Sequence, residues 1–233
     1  MVQMAAPWAA YQVPDRLPDD TEESIVGTEW HQEAIGDLAD KLRESARRHG
    51  ATWGVCEQVG LVGLRRADGR PYDPRPDVLV LQEPLPSGSM SAIALLDTGA
   101  PLFIAEVASR STVGDDVSAK REVYEAVGVR EYVVFDPGAS LLSTPVLAWR
   151  WESGSFVPWQ PEVDGWWHSA SLGLSFQAMQ PFVRVRDREG REIPPSRALH
   201  AQLEGLYAQL EEERQRRLAL EDELRHLRGD QGV

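Results

Sequence analysis

Apolar residues recur at helical spacing from Thr28 onward: Ala34, Ile35, Leu38, Ala39, Leu42 and Ala46 share one face, and "RRHG" adds basic residues and a glycine stop. This predicts a helix. The period then shortens. "TWGVCEQVGLVGLRR" reads as extended chain and "ADGRPYDPRP" as a turn-rich link. "DVLVLQ", "LFIAEVA" and "EYVVFD" are near-continuous apolar runs, the pattern of strands buried on both faces. Between the first two, "EPLPSGSMSAIALLDTGAP" is a long connection, part of it loop. Val117, Ala119, Val123, Ala126 and Val127 fit a short amphipathic helix closed by Gly128. "PVLAWRWES", "SFVPWQ" and "GWWHSASLGLSF" read as successive short strands. The order of helix, strands, helix and strands predicts an α/β or α+β sheet covered by helices.

The two ends differ from this middle. Residues 1–26 are rich in Pro, Asp and Glu without an apolar period and read as an irregular acidic arm. After "REIPPSR", Leu199, Leu203, Leu206, Leu210, Leu220, Leu224 and Leu227 alternate spacings of four and three, with Glu213 and Arg217 at the two missing seam positions. That is a heptad seam with a polar interruption. It predicts a coiled-coil helix over 197–229, suited to homodimer formation, and a short tail at 230–233. One amphipathic helix packed on its own domain is the competing reading. Residues 27–196 remain as the main domain.

A hydrophobic fraction of 42% and a charged fraction of 26% suit a soluble globular chain. No apolar run reaches the ~20 residues of a membrane span, and the N-terminus lacks a secretory leader, so the cytoplasm is the expected location. Cys56 is the single cysteine, which excludes an internal disulfide framework and a multi-cysteine zinc site. His31, His49, His168, His200 and His226 show no metal-ligand spacing, a further argument against zinc. The net charge of −13 opposes nucleic-acid binding unless a basic patch, a metal or a partner offsets it. Residues 27–198 still carry twenty-four acids against eighteen bases.

Two carboxylates need explanation. Glu106 lies inside an apolar strand, where an isolated ion is too costly to desolvate, and Asp77 opens the strand "DVLVLQ" directly after "PRP". Oxygen ligands on neighbouring strands, with positions left for water and phosphate, are what a magnesium site takes from protein. Lys120 adds a third signal: only Lys41 and Lys120 are lysines among twenty-four basic residues, so arginine is the default cation of this chain. Lysine can shift its proton where guanidinium cannot. Lys41 weakens the inference, because solvation of a helix face accounts for it. Asp116, Lys120 and Tyr124 stand four apart and share a helical face, so Asp116 can hold the lysine while Tyr124 packs beneath it or donates a hydrogen bond. Ser109 and Ser111 are suited to binding phosphate or capping the next helix. Taken alone, Asp77 also reads as a turn residue, Glu106 as half of a buried ion pair, and Lys120 as a solvated helix residue. Trp166 and Trp167 read as core rather than as base-stacking platforms.

"PRPDVLVL", followed by "PLFIAEVASRST", "DDVSAKREVY" and "EAVGVREYVVFDP", resembles the Uma-two family of bacterial restriction endonucleases in the PD-(D/E)XK nuclease superfamily. The resemblance runs from about His31 to about Phe176. It implies a restriction-endonuclease-like core, a mixed sheet between helices, holding Mg2+ or, in its place, Mn2+, and acting on DNA. Asp77 matches the motif aspartate, Glu106 the acidic strand residue, and the backbone carbonyl of Val107 a further ligand. The superfamily lysine two residues after the acid is replaced by Ala108, and Lys120 looks like its relocated substitute. Arg110 stands where the family has a proline. Glu33 is the convenient candidate for an acid from the first helix. The expected function is Mg2+-dependent hydrolysis of DNA phosphodiester bonds. The alternative is a catalytically silent nuclease fold that recruits a partner through its coiled coil.

Overall fold

The computed structural model describes residues 23–85, 91–180, 182–194, 213, 214, 216 and 217, with side chains described for all but 23–30, 96 and 97. In chain order the elements are α1 (Glu23–His49), β1 (Gly54–Glu57), β2 (Gly60–Val62), β3 (Val78–Leu81), β4 (Ala92–Ala94), α2 (Leu95–Thr98) and β5 (Phe103–Val107). A helical segment follows: α3 (Val113–Asp115), a π turn (Asp116–Lys120) and α4 (Arg121–Ala126). The remainder is β6 (Glu131–Phe135), β7 (Val146–Glu152), β8 (Ser155–Pro158), β9 (Trp167–Ser169), β10 (Leu174–Met179), β11 (Phe182–Arg186) and β12 (Glu192–Ile193).

The main sheet has six strands in the order β1-β3-β5-β6-β7-β8. It is mixed: β5 and β6 pair in parallel, and the other neighbours run antiparallel. A parallel pair needs a crossover, and the helical segment carrying Lys120 provides it. Side chains alternate between two cores. Val78, Val80, Phe103, Ala105, Val107, Val133 and Phe135 pack with Ala34, Ile35 and Leu38 of α1 and with the four-stranded sheet β12-β11-β10-β9. Leu79, Leu81, Ile104, Tyr132 and Val134 face the opposite way and meet Val113 and Tyr124 of the crossover. Being covered on both faces explains the unbroken apolar runs of β3, β5 and β6.

Several elements differ from the sequence expectation. Helix α1 starts at Glu23, inside the segment expected to be irregular. The long connection before β5 contains β4, paired in parallel with β2, and the short α2. Strands β11 and β12 complete the second sheet. Lys41 is buried rather than solvated: its Nζ lies 2.6 Å from Asp37 Oδ2 and donates to the Val183 carbonyl at 2.8 Å, which ties α1 to β11. Cys56 packs against the second core, and burial pushes its thiol pKa up, away from reactivity. Residues 194–233 separate as a second unit. Within it Glu213, Arg214, Arg216 and Arg217 are helical and exposed; the expected heptad seam and its homodimer otherwise lie outside the described residues. No helix among the described residues is long and apolar enough to cross a membrane.

Candidate functional site

The register of β3 and β5 creates the site. Val78 lies opposite Ala105, which sets Asp77, one residue before β3, beside Glu106. Backbone groups then cross-link the two acids. The Asp77 N–H donates to Glu106 Oε2 at 3.2 Å, and the Val107 N–H donates to Asp77 Oδ2 at 2.8 Å. Glu106 is 1% exposed and points toward the crossover. There Lys120 Nζ stands 2.9 Å from Glu106 Oε2, and the Tyr124 hydroxyl donates to Glu106 Oε1 at 3.1 Å.

The crossover is built to deliver that ammonium. Lys120 Nζ also lies 2.8 Å from Asp116 Oδ1, spanning the π turn. The Tyr132 hydroxyl, rising from β6, donates to the Asp116 carbonyl at 2.7 Å and fixes the start of the wide turn. Isolated π turns inside α-helices occur often at functional sites. The far end is closed by Gly128 at φ 77: its N–H reaches the Glu125 carbonyl and the Val129 N–H reaches the Tyr124 carbonyl, a Schellman pair. The helix that presents Lys120 and Tyr124 is therefore anchored at both ends.

Electrostatics show what the cluster lacks. Asp77, Glu106 and Asp116 face one ammonium, so full ionisation leaves two negative charges beneath the surface. Burial pushes the Glu106 carboxyl well above the usual range, with Lys120 pulling it back and Asp77 and Asp116 pushing it further. Burial likewise raises Asp77, against the Val107 N–H, Lys120 and His31, and raises Asp116 against Lys120. For Lys120, burial disfavours the cation, but Glu106 and then Asp116 outweigh it and hold its pKa above that of a free lysine. The Asp116 carboxylate is fully buried; despite the nearby Lys120 and Thr112, neither oxygen receives a well-aligned hydrogen bond. The cluster is oxygen-rich and, when fully ionised, short of two positive charges, the charge that a divalent cation would bring.

Other expected residues fall in different places. Ser109 Oγ lies 3.2 Å from Ser111 Oγ and 2.8 Å from Thr112 Oγ1, a hydroxyl cluster within the turn after β5. The carbonyl of Val107 already accepts a hydrogen bond from His31 Nε2 at 2.7 Å. Glu33 is exposed, and two residues along a helix place it about 200° from His31. Among the described side chains of α1, His31 reaches the site, at the Val107 carbonyl and 3.8 Å from Asp77 Oδ2. A sequence signal for it existed, since His31 continues the stripe of Ile35, Leu38 and Leu42. Also unforeseen is the support from the preceding loop, where Tyr72 donates to Asp115, and Arg66 lies over the Tyr72 ring at 4.3 Å.

Two acids of the family-like motif are structural. Glu131 is held by Arg150, the Ser169 hydroxyl and the Ala170 N–H. Asp136 accepts the N–H groups of Leu141 and Leu142 at 2.7 and 2.8 Å and closes the turn after β6. Trp166 is buried beneath Arg184 and Arg186. Among the described residues, the His/Asp/Glu trio whose ligand atoms all lie within 4.8 Å of one another is His49, Asp187 and Glu189. Arg191 pairs with both of those acids, so one guanidinium already offsets part of that trio's charge. His31, Asp77 and Glu106 are not drawn that close, because Glu106 is turned to Lys120 and Tyr124.

No curated protein matches the chain. Among solved structures, it is similar to a crystal structure described as a "putative nuclease belonging to DUF820" from Anabaena variabilis ATCC 29413, at 13% identity and a TM-score of 0.40, covering 64% of this chain and 71% of that one. The family profile of Uma2, described as "Putative restriction endonuclease", matches residues 19–171, a span containing α1, Asp77, Glu106 and the whole crossover. On that match the chain belongs to the Uma2 family.

Proposed function

We propose that residues 27–196 form a restriction-endonuclease-like domain that hydrolyses DNA phosphodiester bonds with Mg2+, Mn2+ being able to substitute. The observation that carries this reading is the convergence of Asp77, Glu106, Asp116 and Lys120, three carboxylates and one ammonium from the entry to β3, from β5 and from the π turn. Asp77, Glu106 and the Val107 carbonyl would hold the cation. Bound there, it would neutralise phosphate charge and lower the pKa of a bound water.

The protein groups have separable tasks. Lys120 keeps its proton, so it serves as a fixed cation and hydrogen-bond donor, placed to orient a water and to offset charge growing on the phosphate. Asp116 and Tyr124 position Lys120 and Glu106. Residues 63–76 bring Arg65, Arg66, Arg70 and Arg75 against Asp68 and Asp73, a local basic excess that leads directly to Asp77 in an acidic chain. Such an excess is what holding a phosphate backbone requires.

The test is cleavage of DNA by purified protein with Mg2+ or Mn2+, beside Asp77→Ala and Lys120→Ala. Loss of metal-dependent cleavage in both variants supports the assignment. Equal activity in all three proteins would sink it. Failure of either cation to bind, even with DNA present, would favour the silent nuclease fold.

A further inference from the structure

His31 stands where an additional ligand would stand. Its Nε2 lies 2.7 Å from the Val107 carbonyl oxygen and 3.8 Å from Asp77 Oδ2, two of the three oxygen donors assigned above. Donors on one small divalent cation at ~2.1 Å lie roughly 3 Å apart when adjacent and about 4 Å apart when opposite. Both separations fall near that range. The position is also fixed by the fold: Ala34, Ile35 and Leu38, the next turn of α1, are buried against β3 and β5. A residue that merely capped a strand end would need only the carbonyl contact. His31 meets the carbonyl and the carboxylate together.

We propose that His31 is a direct ligand of the metal, and that its imidazole makes the site prefer Mn2+ to Mg2+. The proposal rests on the metal-site reading given above. In the described arrangement Nε2 carries the hydrogen, since a carbonyl only accepts. Ligation requires the other neutral tautomer, with the proton on Nδ1 and the Nε2 lone pair free. The exchange moves one proton from one ring nitrogen to the other and changes no net charge. Imidazole is a softer donor than carboxylate, carbonyl or water. Mg2+ gains little from it, while first-row transition ions gain more.

The test uses the full chain loaded with Mn2+ and pulsed electron paramagnetic resonance, which detects nitrogen bound directly to manganese. The wild type is expected to show one imidazole nitrogen coupling. His31→Gln, which retains a side-chain N–H for the Val107 carbonyl, is expected to lose the coupling, and circular dichroism of that variant checks its fold. By calorimetry, Mn2+ is expected to bind the wild type at least about tenfold more tightly than Mg2+, and the ratio is expected to collapse in His31→Gln. Bound Mn2+ without nitrogen coupling, or coupling that persists in His31→Gln, would overturn the ligand assignment while leaving the oxygen site intact. No Mn2+ or Mg2+ binding by the wild type would overturn both readings.

Discussion

Lys120→Met removes the ammonium but keeps an unbranched stem of similar length, so its cost isolates the charge. Two contacts disappear, at 2.9 Å to Glu106 and 2.8 Å to Asp116, and three carboxylates then share a buried site with no cation from the crossover. Removing one partner of a buried ion pair costs about 3–5 kcal/mol. For a domain of this size each kcal/mol moves Tm by about 2–4 °C, which predicts a fall of roughly 6–20 °C at pH 8 without metal. Protonation limits the loss. The carboxyls of Glu106 and Asp116 have folded pKa values above their unfolded values of 4.5 and 3.8, so the folded state holds protons that the unfolded state releases, and stability falls as pH rises through that window. In the variant this window widens. The Lys120 contribution itself persists below the unfolded lysine pKa of 10.5 and is lost as pH rises through its higher folded value. The gap between wild type and variant should therefore open only as pH passes the raised folded pKa values of these carboxyls in the wild type, and persist to about pH 10. Near pH 4 it should narrow to a packing cost of about 1 kcal/mol. Thermal unfolding followed by circular dichroism across this range is the assay. A gap of equal size at pH 4 and pH 8 would refute the electrostatic account and leave only packing.

Three further outcomes follow from the same contacts. Tyr124→Phe removes the one hydroxyl donated to Glu106 Oε1 and should cost about 1.5–3 kcal/mol by urea denaturation at pH 8; a loss under about 0.5 kcal/mol would show that the contact carries no weight. Mg2+ at about 100 times its Kd should stabilise the wild type by about 2.7 kcal/mol, and Glu106→Gln should abolish the resulting Tm shift; an unchanged shift would place the cation elsewhere. Asp136→Ala strands the N–H groups of Leu141 and Leu142 and should cost about 2–4 kcal/mol, with cation affinity by calorimetry unchanged; altered affinity would mean that this acid acts beyond its turn.

What was legible in the sequence was whatever local pattern determines. Strands β3, β5 and β6 are covered on both faces, so their apolar runs announce them, and Gly128 announces the helix end through its positive φ. Strand β11 carried a readable alternation in "FVRVR" and was missed beside the louder aromatic strands. β4 had no such signal, because three residues paired in parallel with β2 are set by a distant partner. The π turn was illegible for a similar reason. Its anchor is the Tyr132 hydroxyl, sixteen residues downstream, and helical periodicity is blind to that contact.

The lysines make the most instructive case. Lys120 was singled out because the chain otherwise uses arginine, and Lys41 was dismissed as a solvated helix residue. The structure buries both, each beside an aspartate four residues earlier: Asp37 for Lys41 and Asp116 for Lys120. The same local device serves two ends. Lys41 spends its remaining hydrogen-bonding capacity on the Val183 carbonyl and joins α1 to β11, which completes a structural contact. Lys120 spends its own on Glu106, whose neighbour Asp77 leaves the cluster still short of positive charge. Composition identified two places where a compact amine was needed. Only the third partner, a neutral carbonyl in one case and a buried carboxylate in the other, separates a strut from a candidate catalytic group.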